Sequence, residues 1–230
     1  MVNPLIIALD VNNIKEEEKL VKILSPYVSI FKIGLELFSS CGDDAIKVVK
    51  EFGKDVFLDL KLFDIPNTVS KVVKVVNKFD IYALSIHILG GKEMIKKSCS
   101  VFHRPYLWGV TLLSSIDKNN LEEIGLQNGL EKTILDLAIS GKQWGLDGII
   151  ASGGQVSLLR EKFTEDFTII TPGIRLKGEK KNDQKRVLLP VEAIKKGADF
   201  IVIGRSIIKS TNPKKVAAEV LKEILKVKPQ

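Results

Sequence analysis

Cysteine, histidine and aromatic residues are scarce in this 230-residue chain, which has two Cys, two His and 7% Phe, Trp and Tyr. Cys41 and Cys99 lie far apart and outside any Cys-x-x-Cys or Cys/His pattern, which argues against a disulfide framework or a zinc site. They read as ordinary thiols of a reducing cytosol. No apolar run approaches the roughly 20 residues that a membrane-spanning helix needs, so no membrane partner is expected. Met1-Val2-Asn3-Pro4-Leu5 enters a strand-like run directly, with no basic stretch and no small-residue cleavage site. Export is therefore not expected, and a cytoplasmic location is. No His/carboxylate cluster invites a metal. No GxGxxG follows the first apolar run and no Pro-, Gly- or Ser-rich linker divides the chain, which argues against an open dinucleotide-binding sheet.

What is present suits a packed globular domain. The chain is 45% hydrophobic and 27% charged, enough for a sizeable core. Its formal charge of +7 comes from lysines scattered through helical stretches such as Lys15 to Lys22 and Lys71 to Lys78. A nucleic-acid binder would cluster its lysines on one face and interleave stacking aromatics, and neither occurs here. The charge reads as solvated helix surface, with a modest steering of anionic small molecules.

Short β-branched apolar runs alternate with longer amphipathic ones. Strands are expected at Leu5–Val11, Ser29–Leu35, Asp55–Leu62, Ile81–Ile88, Tyr106–Leu112, Asp147–Ala151, Thr168–Pro172 and Phe200–Ile203. Helical patterns fall near Lys15–Leu24, Asp43–Phe52, Asn67–Lys78, Lys92–Ser98, Gly129–Trp144, Gln155–Lys162, Pro190–Lys196 and Pro213–Lys226. Eight strand–helix units argue for a parallel sheet, and eight close a barrel. The expected fold is a single (β/α)8 TIM barrel over residues 1–230. Two connections are long, Ser114 to Asn128 and Arg175 to Leu189. The second is polar, with a glycine hinge at Gly178, and reads as a lid over residues 176–188 at the C-terminal face of the strands.

Charges appear where buried strands should have none: Lys32, then Asp59, Lys61 and Asp64. Alternation would put Phe57, Asp59 and Lys61 on one face and Leu58, Leu60 and Leu62 on the other. An acid and an amine so placed survive only as a pair, and paired titratable groups prepare proton or charge chemistry. Other strand ends supply Asp10, His87, Ser114, Ser152, Arg175 and Arg205; alone, His87 or Ser152 reads as a satisfied polar residue. Thr171-Pro172-Gly173-Ile174-Arg175 after strand seven and Gly204-Arg205-Ser206 after strand eight fit a phosphate cradle. Glycines there permit close backbone approach and arginines add charge-assisted bonds. The substrate class is thus a phosphorylated anion whose reactive end lies over an Asp–Lys array. A Schiff-base lysine is conceivable, but an amine between carboxylates is a better proton donor than nucleophile.

Asp59-x-Lys61-x-x-Asp64-Ile65-Pro66-x-Thr68 resembles the signature of the orotidine 5'-phosphate decarboxylases. The resemblance continues through Leu9-Asp10, Phe31-Lys32-Ile33-Gly34, His87-x-x-Gly90-Gly91, Val110-Thr111-x-Leu113-Ser114-Ser115, Pro172-Gly173-Ile174-Arg175, Asp183-Gln184-x-Arg186 and Gly204-Arg205-Ser206, essentially the whole chain in order. It implies conversion of orotidine 5'-phosphate to UMP and carbon dioxide, with no cofactor and no metal. Lys32, Asp59, Lys61 and Asp64 would form a charge array, with Lys61 as proton donor and Asp59 against the substrate carboxylate. Asp10 and Lys32 would hold the ribose hydroxyls and Ser114, where many bacterial relatives have Thr, the pyrimidine ring. Pro172, Arg175, Gln184, Gly204 and Arg205 would line the phosphate site, with Gln184 on the lid. Asp64 and Thr68 would come from the partner subunit of a homodimer. The related 3-keto-L-gulonate 6-phosphate decarboxylases and hexulose-phosphate synthases resemble the same Asp-x-Lys-x-x-Asp motif. They use magnesium, however, and usually carry an acid where Lys32 stands.

Overall fold

The computed structural model describes residues 3–163, 166–177 and 188–227. Eight parallel strands close into a barrel in sequence order: β1 (Leu5–Ala8), β2 (Ile30–Gly34), β3 (Asp55–Leu62), β4 (Ala83–His87), β5 (Tyr106–Val110), β6 (Gly148–Ile150), β7 (Thr168–Thr171) and β8 (Phe200–Ile203). Closure is made where Leu5, Ile6 and Ile7 of β1 lie beside Ile201, Val202 and Ile203 of β8. The expected TIM barrel is what forms.

Apolar residues on both faces of each strand make two cores. Leu5, Ile7, Phe31, Ile33, Leu58, Leu84 and Ile86 point outward, under the helices. Ile6, Ala8, Ile30, Phe57, Ala83, Trp108, Val110, Ile150, Ile170, Phe200 and Val202 fill the barrel. The aromatic members cluster, with Phe57 edge-on to Trp108 at 4.6 Å between ring centroids. The barrel is a packed plug on which a site can rest, not a pore.

The helices are α1 (Ile14–Leu24), α2 (Leu35–Cys41), α3 (Asp44–Glu51), α4 (Pro66–Val76), α5 (Gly91–Cys99), α6 (Lys118–Glu123), α7 (Leu130–Gln143), α8 (Val156–Lys162), α9 (Pro190–Lys195), α10 (Arg205–Ile208) and α11 (Pro213–Leu225). Local chemistry sets their starts. The Asn13 side chain accepts the Glu16 N–H at 2.9 Å to cap α1, and Pro66 opens α4 where no N–H is needed. Three helices were not expected from the sequence. α2 and α10 are short turns directly after β2 and β8, too brief to show a periodic apolar stripe. α6 lies in the long connection from Ser114 to Asn128, with an Asp117/Asn120 capping box and only Leu121 buried.

Strand ends also differ from expectation. β1 stops at Ala8, so Asp10 lies in the following loop, and β5 and β7 end before Leu112 and Pro172. Apolar character continued past the point where the ladder ended. At the opposite, N-terminal end of the barrel, Asp147 accepts the Leu107 N–H and pairs with Arg104. Asp199 does the same for the Ile169 N–H and Arg160. Those ionic clamps stitch adjacent strands far from the loops that carry chemistry.

Both cysteines are free. Among the described residues no helix is long and apolar enough to cross a membrane.

Candidate active site

The C-terminal ends of the strands enclose a cavity of about 320 Å³. Its floor is the top of the barrel plug: Ala8, Phe57, Val110, Ile150, Ile170 and Val202. Around that floor stand Asp10, Lys32, Asp59, Lys61, Ser114, Ser152, Pro172, Gly173, Arg175, Gly204 and Arg205. A predominantly apolar base with a few convergent polar groups is the usual form of a small-molecule site.

Asp59 is its electrostatic centre. It is 8% exposed, and its Oδ2 lies 2.8 Å from Lys61 Nζ and 3.6 Å from Lys32 Nζ. Lys32 Nζ also lies 3.7 Å from Asp10 Oδ1, so the order of charge is Asp10, Lys32, Asp59, Lys61. Burial pushes the Asp59 carboxyl up, but Lys32 and Lys61 outweigh it, helped by hydrogen bonds from Lys61 and Ser85. The carboxyl is held below the usual carboxylate range. An ionised Asp59 beside two ammoniums is therefore its resting state.

Simple strand alternation is not what brings Lys61 into the row, and here the sequence reading needs correction. Leu58 pairs with Leu84, but Leu62 pairs with Ile86, so three residues of β3 face the single residue Ser85 of β4. Lys61 occupies this bulge with φ +50°, a left-handed conformation costly for a lysine. The bulge aims Lys61 Nζ at Asp59 from the strand's end.

The glycines have sharper reasons than closeness to an anion. Gly173 has φ +80°, where a side chain would be strained. At Gly204 a Cβ would sit 2.6 Å from Asp10 Oδ2, so the glycine makes room for that carboxylate as well. Gly34 does likewise for Lys32, whose Nζ would lie 2.9 Å from a Cβ there.

Three expected residues stand apart. Asp64 and Thr68 do not line the cavity: Asp64 is exposed and its Oδ1 accepts the Ile65 N–H, while Thr68 borders a groove on α4. Gln184 and most of the expected 176–188 lid lie outside the described residues. The chain on either side of that segment is anchored, since Ile174 and Leu188 form a β-bridge and Arg175 donates its N–H to the Leu188 carbonyl at 3.1 Å. His87 does not line the cavity either. It packs against Phe63 with 5.5 Å between ring centroids, and its Nδ1 has no hydrogen-bond partner among the described residues. Burial, and then the charge of Lys61, hold its imidazole below the ordinary range, which favours the neutral ring.

Ser85 escaped the sequence reading. It is completely buried, donates from Oγ to Asp59 Oδ1 at 2.9 Å, and accepts the Lys61 N–H at 2.7 Å. Its only signal in sequence is a polar residue inside the apolar run 81–88. Among the described residues no group of three or more His, Cys, Asp or Glu converges as a metal site would require.

Comparison with known proteins gives a consistent likeness. Residues 3–220 match the profile of the orotidine 5'-phosphate decarboxylase / HUMPS family. The orotidine 5'-phosphate decarboxylase of Dictyoglomus thermophilum is 40% identical, covering 96% of this chain and 95% of that protein. That of Geotalea daltonii is 37% identical, over 96% of this chain and 95% of its own. Among solved structures, orotidine 5'-phosphate decarboxylase from Lactobacillus acidophilus superposes with a TM-score of 0.81 at 36% identity, over 96% of this chain and 99% of that one.

Proposed function

Because the chain belongs to the orotidine 5'-phosphate decarboxylase / HUMPS family, we propose that it converts orotidine 5'-phosphate to UMP and carbon dioxide, in the cytoplasm, as a step of pyrimidine nucleotide synthesis. The observation that carries this reading is the row Asp10–Lys32–Asp59–Lys61 in the same cavity as Arg175 and Arg205. Such a cavity takes a substrate with a phosphate at one end and a reactive anionic group at the other.

In this reading Arg175, Gly204 and Arg205, with Pro172 beside them, bind the phosphate, joined by Gln184. Asp10 and Lys32 hold the ribose hydroxyls and Ser114 bonds the pyrimidine ring. The substrate carboxylate then lies against Asp59. The bond from ring carbon to carboxylate breaks, and its electron pair stays on the ring carbon. Lys61 donates the proton that quenches that carbanion. A fixed ammonium stabilises the developing charge without reorganisation, the largest contribution in most enzymes, out of barriers lowered by about 8–23 kcal/mol. Binding energy from the distant phosphate offsets crowding a second carboxylate against Asp59, and release of carbon dioxide relieves it.

The reaction proceeds without a metal. Two ammoniums flank Asp59, where a cation would have to sit, and Lys32 stands where magnesium-using members of the family usually carry an acid. The enzyme acts as a homodimer. Leu35, Phe63, Ile65 and Val75 are each more than half exposed, and Leu60, Val72 and Phe79 line the groove bordered by Thr68. An apolar surface of this kind marks an interface. In the dimer, Asp64 and Thr68 complete the neighbour's site.

The test is loss of the orotidine 5'-phosphate absorbance band in the presence of a chelator. The native chain should turn over fully, while Lys61→Ala should lose turnover yet keep affinity for UMP. No decrease in absorbance with the native chain would overturn the assignment.

A further inference from the structure

The bulge in β3 creates two local needs that the ladder does not meet. Asp59, Leu60 and Lys61 face one residue of β4, and the Lys61 N–H goes to a side-chain oxygen rather than to a carbonyl of the ladder. The second is Asp59 Oδ1, because both ammoniums approach Oδ2. Each would be costly to leave unpaired in a site this buried.

Ser85 meets both. A hydroxyl has one proton to donate and two lone pairs to accept with. The Lys61 amide at 2.7 Å can only donate, so the hydroxyl proton is directed to Asp59 Oδ1 at 2.9 Å. Ser85 is completely buried and does not line the cavity, so it does not reach a substrate directly. It ties the backbone that aims Lys61 to the carboxylate that Lys61 pairs with.

We infer that Ser85 is a positioning residue for the reaction: by accepting from the Lys61 backbone and donating to Asp59, it holds the proton donor and its partner carboxylate in one register. This rests on the decarboxylase reading above. Lys32 and Lys61 face Asp59 directly, Asp10 stands beyond Lys32, and His87 lies near Lys61. None of these replaces the Ser85 hydroxyl at Oδ1.

Ser85→Ala is expected to lower kcat about 10–100-fold, by analogy with the cost of losing an outer partner that orients a metal ligand. The KM and UMP affinity should stay within about threefold, because the residues proposed to contact substrate are untouched. The acid limb of the kcat/KM profile should move to higher pH, since Asp59 loses one contact that favours its ionised form. Ser85→Thr, which keeps the hydroxyl, should restore rate and profile. Titration of the Asp59 carboxyl carbon by NMR, without substrate, should show the same upward move in Ser85→Ala. That readout does not depend on turnover, so it stands even if the native chain proves inactive on orotidine 5'-phosphate. The inference is overturned if Ser85→Ala matches the native chain in kcat, acid limb and Asp59 titration. It is equally overturned if the Ala and Thr variants lose rate alike with the Asp59 titration unmoved. Should Ser85→Ala fail to fold, Ser85→Cys, with its weak donor, carries the same comparison.

Discussion

Glu17 shows how much one side chain can set. It lies on α1 with no exposure, and among the described residues neither carboxyl oxygen has a hydrogen-bond partner. Burial pushes its carboxyl from an ordinary 4.5 up to about 8. The folded chain therefore holds Glu17 neutral over a range where the unfolded chain ionises it. The sign follows: the unfolded state gives up its proton first, so Glu17 is least harmful below about pH 4.5 and costs more stability as pH rises toward 8. One such proton is worth about 1.4 kcal/mol per pH unit, or roughly 3–6 °C of melting temperature for a chain of this size. Glu17→Leu should melt higher than the native chain, by a margin that widens several degrees between pH 5 and pH 7.5. A constant margin in calorimetry would mean that Glu17 is solvated. In the sequence Glu17 was one acid in a run of three, and nothing local marked it as the buried one.

At the scale of elements, the β6–β7 pair depends on an absent side chain. A Cβ at Gly148 would lie 2.7 Å from the Thr168 carbonyl oxygen and 2.8 Å from Thr168 Cβ. Gly148 and Thr168 are partners in the ladder, so neither can retreat without losing the register that continues to Ile150 and Ile170. Gly148→Ala should cost about 1–3 kcal/mol, the usual range for overpacking. An unchanged thermal melt would contradict this. Strand β3 carries the opposite lesson. Its bounds, Asp55–Leu62, coincide with those read from sequence, yet its bulge was not legible there. A bulge is set by the partner strand's register, and period-two patterning does not contain that information.

The whole molecule is a barrel with its cavity at the C-terminal ends of the strands. Asp64 and Thr68 sit outside their own cavity and beside an exposed apolar surface, the arrangement expected if two copies exchange them. Val75→Asp, on that surface but remote from the charge row, should raise the monomer fraction and lower turnover together. Sedimentation and activity measured over the same dilution series check this. Full activity in a monomeric variant would remove Asp64 and Thr68 from the working site.

The sequence by itself determined the barrel, because eight alternations of a two-residue and a helical apolar period admit few other closures. It also marked Asp10, Lys32, Asp59, Lys61, Ser114, Arg175 and Arg205, since charges and turn glycines at strand ends conflict with burial unless they are used. Only the tertiary structure decided the bulge that aims Lys61, the hydroxyl of Ser85 beneath it, the room that Gly34 and Gly204 leave for charged neighbours, and the isolation of Glu17. Each of these depends on which residue of another strand or helix lies opposite, a relation between segments distant in the chain that no local pattern encodes.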